Sequence, residues 1–439
     1  MTQSPDVESI RSLVFDLNGQ ARGKRLPAAA ADKLVSDGAR MPLSALNVDI
    51  RGDDIAGSPL VFESGDRDGV LKPTERGFVP MPWLDTPTAF LPMWMFTESG
   101  APYPGDPRQA LAAVLERFAR HGWHPVVATE LEFYLVDDRA AELQPPLGPR
   151  SARRRSGAEI LSSDALDDFD AFFTDLYAGC AAMGIPADAA ISEAGTAQFE
   201  INLLHGPAMK AADDALFFKM LVKGLARRHG MAATFMAKPY PDQSGNGLHM
   251  HFSVRDAAGT NIFDDGTERG SDRLLHAIAG CLGAMAGSTL VLAPHGNSYE
   301  RFTPGAHAPT GIAWAYENRT AAIRVPGGPT AARRIEHRAA GGDVNPHLLL
   351  TAVLGAALSG LEDGTAPPPP ITGNAYAQDL PKIPTAWGDA MNALETLQEV
   401  RSFLPEALRA NLIATKRQEE ELFDGLSAQD RVRLYLETV

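Results

Sequence analysis

Cysteine is nearly absent. The 439 residues contain two, Cys180 and Cys281, so no disulfide framework is expected to hold the fold. Positive charge is also scarce: 40 Lys and Arg stand against 55 Asp and Glu, a net charge of −15. That balance argues against nucleic acid as a partner, because phosphate backbones are bound by basic surfaces. It favours cationic substrates only weakly, and plain solubility explains it as well. No apolar run is long enough to span a bilayer. The nearest, Ala277 to Ala293, is short and interrupted by Gly280, Gly283 and Gly287, so a buried helix and no membrane partner are expected. No basic-then-apolar leader opens the sequence, and the expected location is cytoplasmic. No internal repeat is found. What is present is 44% hydrophobic residues, enough for a large core and more than one domain.

Along the chain, Leu13 to Leu17 and Gly19 to Leu26 read as two strands joined at Asn18-Gly19, within a small β-rich unit of about 100 residues. Pro80, Pro82, Pro87, Pro92, Pro102, Pro104 and Pro107 mark a breaker-rich connection. Asp106-Pro107 then caps a helix over Arg108 to His121. Asp167 to Met183 and Ala211 to His229 read as amphipathic helices, and Asp389 to Val439 as helical and charged. Arg150 to Gly157 reads as an exposed loop, and Pro367 to Pro370 as a stiff one. The order predicts an α+β fold with domains at 1–100 and 101–439.

The segment Val126 to Val136 carries the first chemistry. It is rich in β-branched and aromatic residues, and Glu130 and Glu132 are two apart, so in a strand both side chains point to one face. Carboxylates that close repel one another unless a cation lies between them; alone, the pair fits a solvated acidic face equally well. Glu193 and Glu200 flank a Gly turn. Gly245 and Gly247 lead into a strand with His249, His251 and Ser253 on one face, although a single strand histidine is more often structural than a ligand. Arg334, Glu336 and Arg338 alternate on another strand. Carboxylate and imidazole together suit Mg²⁺ or Mn²⁺. Five Glu and one His divide into two sites of three ligands, leaving room for water and phosphate oxygens, as phosphoryl transfer requires.

Arginine supplies the complement: Arg301, Arg319, Arg324, Arg334 and Arg338 form a cationic set in an acidic chain. Each alone reads as a surface ion pair. Beside the metal set, a nucleotide and a carboxylate substrate become the better reading.

These motifs, in this order and over essentially the whole chain, resemble the glutamine synthetase family, type I branch. They are Glu130-x-Glu132, Glu193 to Glu200 with Gln198, Gly247-Leu248-His249-x-His251, Asn297-Ser298-Tyr299 with Arg301, Asn318-Arg319 to Arg324-Val325-Pro326, and Arg334-Ile335-Glu336-x-Arg338 followed by Asn345-Pro346. The resemblance implies a β-grasp-like N-terminal domain and a larger catalytic domain with a curved antiparallel sheet and helices. One metal would be held by Glu132, Glu193 and Glu200, the other by Glu130, His249 and Glu336. Arg319, Arg324 and Arg334 would lie on ATP phosphates, with His251 and Ser253 on the nucleotide side. Arg301 and Gly245 would hold the glutamate carboxylate, and Arg338 would face the transferring phosphoryl group. The implied assembly is a dodecamer of two hexameric rings with active sites between subunits.

The sequence departs from that pattern at the second substrate. Relatives that use ammonia carry Glu in a Pro-Gly-x-Glu-Ala-Pro loop; here Pro304 to Pro309 places His307 there, and Ser244 replaces the Asn that opens the substrate loop. The ammonia-binding Asp has its nearest counterpart in Asp49, in an altered setting, where a turn or cap role is the bland reading. Loss of a carboxylate weakens an ammonium site and opens it to an alkylamine. The expectation is a glutamate–amine ligase acting on a polyamine or ethanolamine, resembling γ-glutamylpolyamine and γ-glutamylethanolamine synthetases. Asp49 is then the candidate proton acceptor and His307 a substrate-side residue. The alternatives are a glutamine synthetase using ammonia and a non-catalytic structural or regulatory relative.

Overall fold

The Asn18-Gly19 turn folds as its sequence predicts in a computed structural model that describes residues 5–140, 142–156, 159–303 and 308–439. Gly19 takes φ +75°, and the Asp16 carboxylate accepts the backbone N–H of Asn18 and of Gln20, both at 2.9 Å. The turn joins β1 (Ser9–Phe15) to β2 (Ala21–Pro27) in antiparallel register. Helix α1 (Ala31–Asp37) leads into β3 (Ala39–Pro42), and β4 (Asp68–Pro73), β5 (Val79–Pro80) and β6 (Thr88–Phe96) follow. They make a six-stranded sheet in the order β2-β1-β6-β4-β3, with β5 paired to β6 and β1 parallel to β6. Ile10, Val14, Leu71, Leu91 and Met95 are its buried face.

The larger part begins at α2 (Pro107–Arg120). Asp106 caps it by accepting the Arg108 N–H at 2.8 Å, with Pro107 in the first turn, where its missing donor costs nothing. Strand β7 (His124–Val136) alternates as far as Phe133: Val127, Leu131 and Phe133 are buried, while Glu130 and Glu132 lie on the opposite, part-exposed face, and from Phe133 to Val136 both faces are buried. The expected helix over 167–183 is instead two, α3 (Ser163–Asp168) and α4 (Asp170–Met183), broken at Phe169. The break has a cause: the Asp168 carboxylate turns to accept the N–H of Arg150 and Ser151 and the hydroxyl of Ser151. In the loop after 150, Arg154 pairs with Asp137 at 3.0 Å and Arg155 with Asp168 at 3.4 Å.

Then come β8 (Ala187–Ser192), β9 (Gln198–Pro207), α5 (Ala208–Arg228), β10 (Ala232–Thr234) and β11 (Leu248–Arg255). The apolar run at 277–293 divides into α6 (Asp272–Ala284) and a short α7 (Thr289–Leu292), both largely buried. A 3₁₀ turn over Gly296–Arg301 precedes β12 (Trp314–Tyr316), β13 (Ile323–Val325) and β14 (Ile335–His337). The second sheet runs β12-β13-β14-β11-β7-β9-β8, with β10 on β7, and is antiparallel except for the parallel pair β12–β13. Helix α5 packs Phe218 beneath it, with 6.3 Å between its ring and that of Phe133, while Phe217 packs on Phe90 of β6, 4.9 Å away. One face of the sheet is therefore core, and the other is free to carry chemistry. The fold is α+β, as the sequence predicts.

Helix α8 (Pro346–Asp363), capped by Asn345, and α9 (Trp387–Thr396), α10 (Glu406–Asp424) and α11 (Ala428–Thr438) complete the chain. Helix α10 is stitched to the small sheet. Asn47 donates to Thr415 at 2.8 Å, Gln418 to Asp49 at 3.0 Å, and Asn18 to Glu419 at 2.9 Å. Lys416, fully buried, donates to Asn18 and to Glu419. Among the described residues, no helix is long and apolar enough to cross a membrane.

Candidate active site

Strand register places the chemistry before any side-chain detail is needed. Residues directly opposite in a ladder share a face. Glu132 lies opposite Glu200, and Glu130 opposite both Asn202 and His249. His251 lies opposite Glu336, and Glu336 opposite Arg324. The free face of β9, β7, β11, β14 and β13 thus carries one row of carboxylates and imidazoles ending in a guanidinium.

At its centre, Glu130 accepts from His249 Nδ1 at 3.0 Å and from His251 Nε2 at 2.9 Å. Burial opposes ionisation of Glu130, but the two imidazoles overcome it and hold the carboxyl well below its usual range. Glu336 is fully buried and accepts from Arg324 at 2.8 Å and from Arg338. Burial again opposes its charge, and Arg338 with the two histidines holds its carboxyl down. Glu132 accepts the Gly247 N–H at 2.6 Å.

Glu193 follows β8, its N–H bonded to Gln198 O across the Gly195 turn. Burial, then the charges of Glu132 and Glu130, push Glu193 from 4.5 to about 7. Burial and the same carboxylates, with Glu193 added, push Glu200 well above the ordinary range. Four carboxylates thus converge with too little positive charge on one side of the row. Oxygen donors with imidazole nitrogen suit a hard or intermediate divalent cation, so the donor set fits Mg²⁺ or Mn²⁺. Ligand atoms of Glu130, His251 and Glu336 lie within 4.8 Å of one another, as do those of Glu130, Glu200 and His249. These two groups share Glu130 and cut across the two triples that the sequence implies.

The raised Glu193 carboxyl has a measurable sign. A group whose folded pKa is raised contributes stability below its unfolded value and loses it as pH rises through the folded one. Metal-free protein should therefore lose stability between about pH 5 and about pH 8, while a divalent cation favours the ionised form and cancels that loss. Melting curves with Mg²⁺ and with EDTA should diverge as pH rises across that window. A constant gap would mean the carboxylates do not take up the ion.

The arginines divide by location. Arg301 is buried, donates to Ala339 O at 3.0 Å and packs along Gly245. A Cβ at Gly247 would lie 2.9 Å from the Arg301 guanidinium and 3.2 Å from His249 Nε2, so glycine there lets the cation reach the row. Arg334 Nε lies 3.4 Å from His251 Nδ1. Arg319 is exposed, and its charge acts on Glu193. Arg334, His251, Ser253 and Glu130 also line a cleft of about 740 Å³ that opens beside the row.

Two candidates stand apart. Asp49 is buried, but its carboxylate accepts from the N–H of Arg51 at 2.9 Å, the N–H of Asp53 at 3.0 Å and Gln418, which holds a turn together. His307 lies outside the described residues.

Asn202 and Tyr134 are absent from the sequence-based set, and Gln198 stands in it only as part of a motif, without a role. Asn202 faces Glu130 and lines the cleft; its spacing of two from Glu200 is the signal that finds it. Gln198 donates to Gly245 O and to Asn246 Oδ1, both at 3.0 Å, and Tyr134 donates to Ser244 O at 2.7 Å. Together they fix the loop that carries Gly245. No local pattern announces these contacts, which join residues about 50 to 110 apart.

Comparison with known proteins agrees with this geometry. Residues 104–435 match the model of the glutamine synthetase catalytic domain. The chain is 35% identical to the γ-glutamylputrescine synthetase of Escherichia coli, over 98% of this chain and 92% of that one. It is 32% identical to a glutamine synthetase of Pyrococcus abyssi (96% and 92%) and 31% identical to a γ-glutamylethanolamide synthetase of Streptomyces coelicolor (96% and 90%). Among solved structures, GmaS bound to ADP superposes with TM-score 0.86 at 28% identity, covering both chains fully.

Proposed function

The chain belongs to the glutamine synthetase family, and from that premise we propose that it is an ATP-dependent ligase that joins the γ-carboxylate of glutamate to an organic amine. The row of Glu200, Glu132, Glu130, His249, His251 and Glu336 across one sheet face, ending in Arg324 and Arg338, carries this reading. A carboxylate is a poor acyl donor. Phosphorylation by ATP gives it a leaving group, an amine displaces phosphate, and the products are a γ-glutamyl amide, ADP and phosphate.

Each residue then has a task. Glu132, Glu193 and Glu200 would hold one divalent ion and Glu130, His249 and Glu336 a second, Mg²⁺ or Mn²⁺, which supply charge neutralisation at the phosphates. Arg319, Arg324 and Arg334 bind phosphate oxygens, and His251 and Ser253 border the nucleotide in the cleft. Arg301 and Gly245 orient the glutamate carboxylate. Arg338 meets the phosphoryl group in transfer. We assign residues 1–100 to a small N-terminal domain and 101–439 to the catalytic domain, in a cytoplasmic enzyme. Asp49 contacts Gln418 rather than the row, so its part in taking a proton from the amine rests on a neighbouring subunit presenting it, in a dodecamer of two rings.

An organic amine is favoured over ammonia by His307, where ammonia users carry Glu, and by two relatives named for amine ligation. The test is kcat/KM for ammonia, ethanolamine, putrescine and spermine with glutamate and ATP. An amine should exceed ammonia. If ammonia exceeds every amine, the enzyme is a glutamine synthetase.

A further inference from the structure

On the far side of the molecule's chemistry, α5 presents Lys219, Lys223 and Arg227 at intervals of four, so that three cations share one helical face. Two of them are satisfied: Lys219 donates to Val344 O at 2.8 Å, and Arg227 pairs with Asp138 at 2.7 Å. Lys223, between them, has no acidic or hydrogen-bonding partner among the described residues. It lines a cavity of about 440 Å³ between α5, β1 and α11, and Arg11 of β1 lines the same cavity. Arg11 also has no acidic partner among the described residues, and it stands directly opposite Arg25 in the β1–β2 ladder. Like charges opposed in a ladder are unfavourable unless something neutralises them. One carboxylate, that of exposed Glu437, lines the cavity.

Arg227, already paired with Asp138, also reaches the wall. Met81, Trp83, Met220 and Leu436 give it an apolar side, and the Trp83 indole lies so close over Gly224 that a Cβ there would collide with the ring. Glycine at 224 is what lets the indole form that wall. Burial, and then the charges of Lys219 and Arg227, lower the Lys223 amine to about 7. A chain with a net charge of −15 thus brings two basic groups without acidic partners to a pocket with a flat hydrophobic side, where a bound anion would favour the charged amine.

We propose that this cavity is a second ligand site, separate from the catalytic cleft, for a small organic anion: a carboxylate or phosphate held by Lys223 and Arg11, on an apolar body packed against Trp83 and Met81. The site needs nothing from the catalytic residues, so it stands or falls independently of the proposed reaction.

The experiment fills the catalytic cleft first, with Mg²⁺, ADP and glutamate at saturation. The full chain is then titrated with benzoate, phenyl phosphate and inorganic phosphate, following heat and tryptophan emission. Benzoate or phenyl phosphate, or both, should bind once per chain and change the emission. Whichever binds identifies the head group. Lys223→Met and Arg11→Met should each weaken that binding about tenfold or more, as loss of a charge-assisted contact does, while Lys223→Arg keeps it. Trp83→Phe should remove the emission change. Lys223→Met deletes an unpaired, half-buried charge, so its Tm should match or exceed that of the parent, and a lost signal is then not a lost fold. Absence of binding by both organic anions, binding of inorganic phosphate alone, or equal binding by Lys223→Met and the parent overturns the proposal.

Discussion

Glu130→Ala should reduce ATP turnover by on the order of 10³-fold at saturating Mg²⁺, the largest effect expected of any single substitution in the chain. Glu130 alone belongs to both groups of ligand atoms that come within 4.8 Å of one another. It also accepts from His249 and His251 together, so its loss releases both imidazoles and one carboxylate at once. The fold should survive. Glu130 lies on the cleft face of β7, and the core face beneath it, Val127, Leu131 and Phe133, is untouched. Two imidazole N–H groups lose an acceptor in a part-buried setting, which costs about 1–3 kcal/mol each at most. Phosphate release with glutamate and an amine, alongside a denaturant melt, separates the two effects. Near-parental turnover in Glu130→Ala would remove the proposed triple of Glu130, His249 and Glu336.

Arg301→Ala should raise the glutamate KM by roughly 10- to 150-fold and leave the ATP KM nearly unchanged. That range corresponds to losing about 1.5–3 kcal/mol from a charge-assisted, forked contact. The guanidinium is buried, is anchored to Ala339 O, and lies against the two glycines of the 245–247 loop, so little of its order is lost or gained on binding. Arg301→Lys should recover only part of the loss, because an ammonium group cannot present two parallel donors. Initial rates against each substrate in turn decide the matter. Equal effects on both constants would move Arg301 to the phosphate side of the cleft.

The spacing of two in Glu130-x-Glu132 put both acids on one face, and β7 bears that out. Asp106-Pro107 announced its helix because cap chemistry is local. What spacing cannot tell is which strands become neighbours. Grouping Glu130 and His249 with Glu336 needed a family resemblance; the ladder sets His249 beside Glu130 and His251 beside Glu336. The break at Phe169 was hidden for a similar reason: the donors that draw Asp168 away lie in a loop 17 or 18 residues earlier. The Lys223 pocket was invisible too, because its cations come from α5 and β1, more than 200 positions apart.

The stitching of α10 to the small sheet sets an order on biogenesis. Asn18, Asn47 and Asp49 leave the ribosome well over 360 residues before their partners Thr415, Lys416, Gln418 and Glu419. The β1–β2 hairpin closes within a few residues and forms early, but the buried Lys416–Glu419 pair that Asn18 joins does not exist until some 400 further residues have been translated. Throughout elongation the nascent small sheet carries polar side chains awaiting partners, and contacts of such long range form slowly. A chain stalled before residue 415 therefore leaves Asn18, Asn47 and Asp49 without the partners that α10 supplies, however well the hairpin beside them has closed.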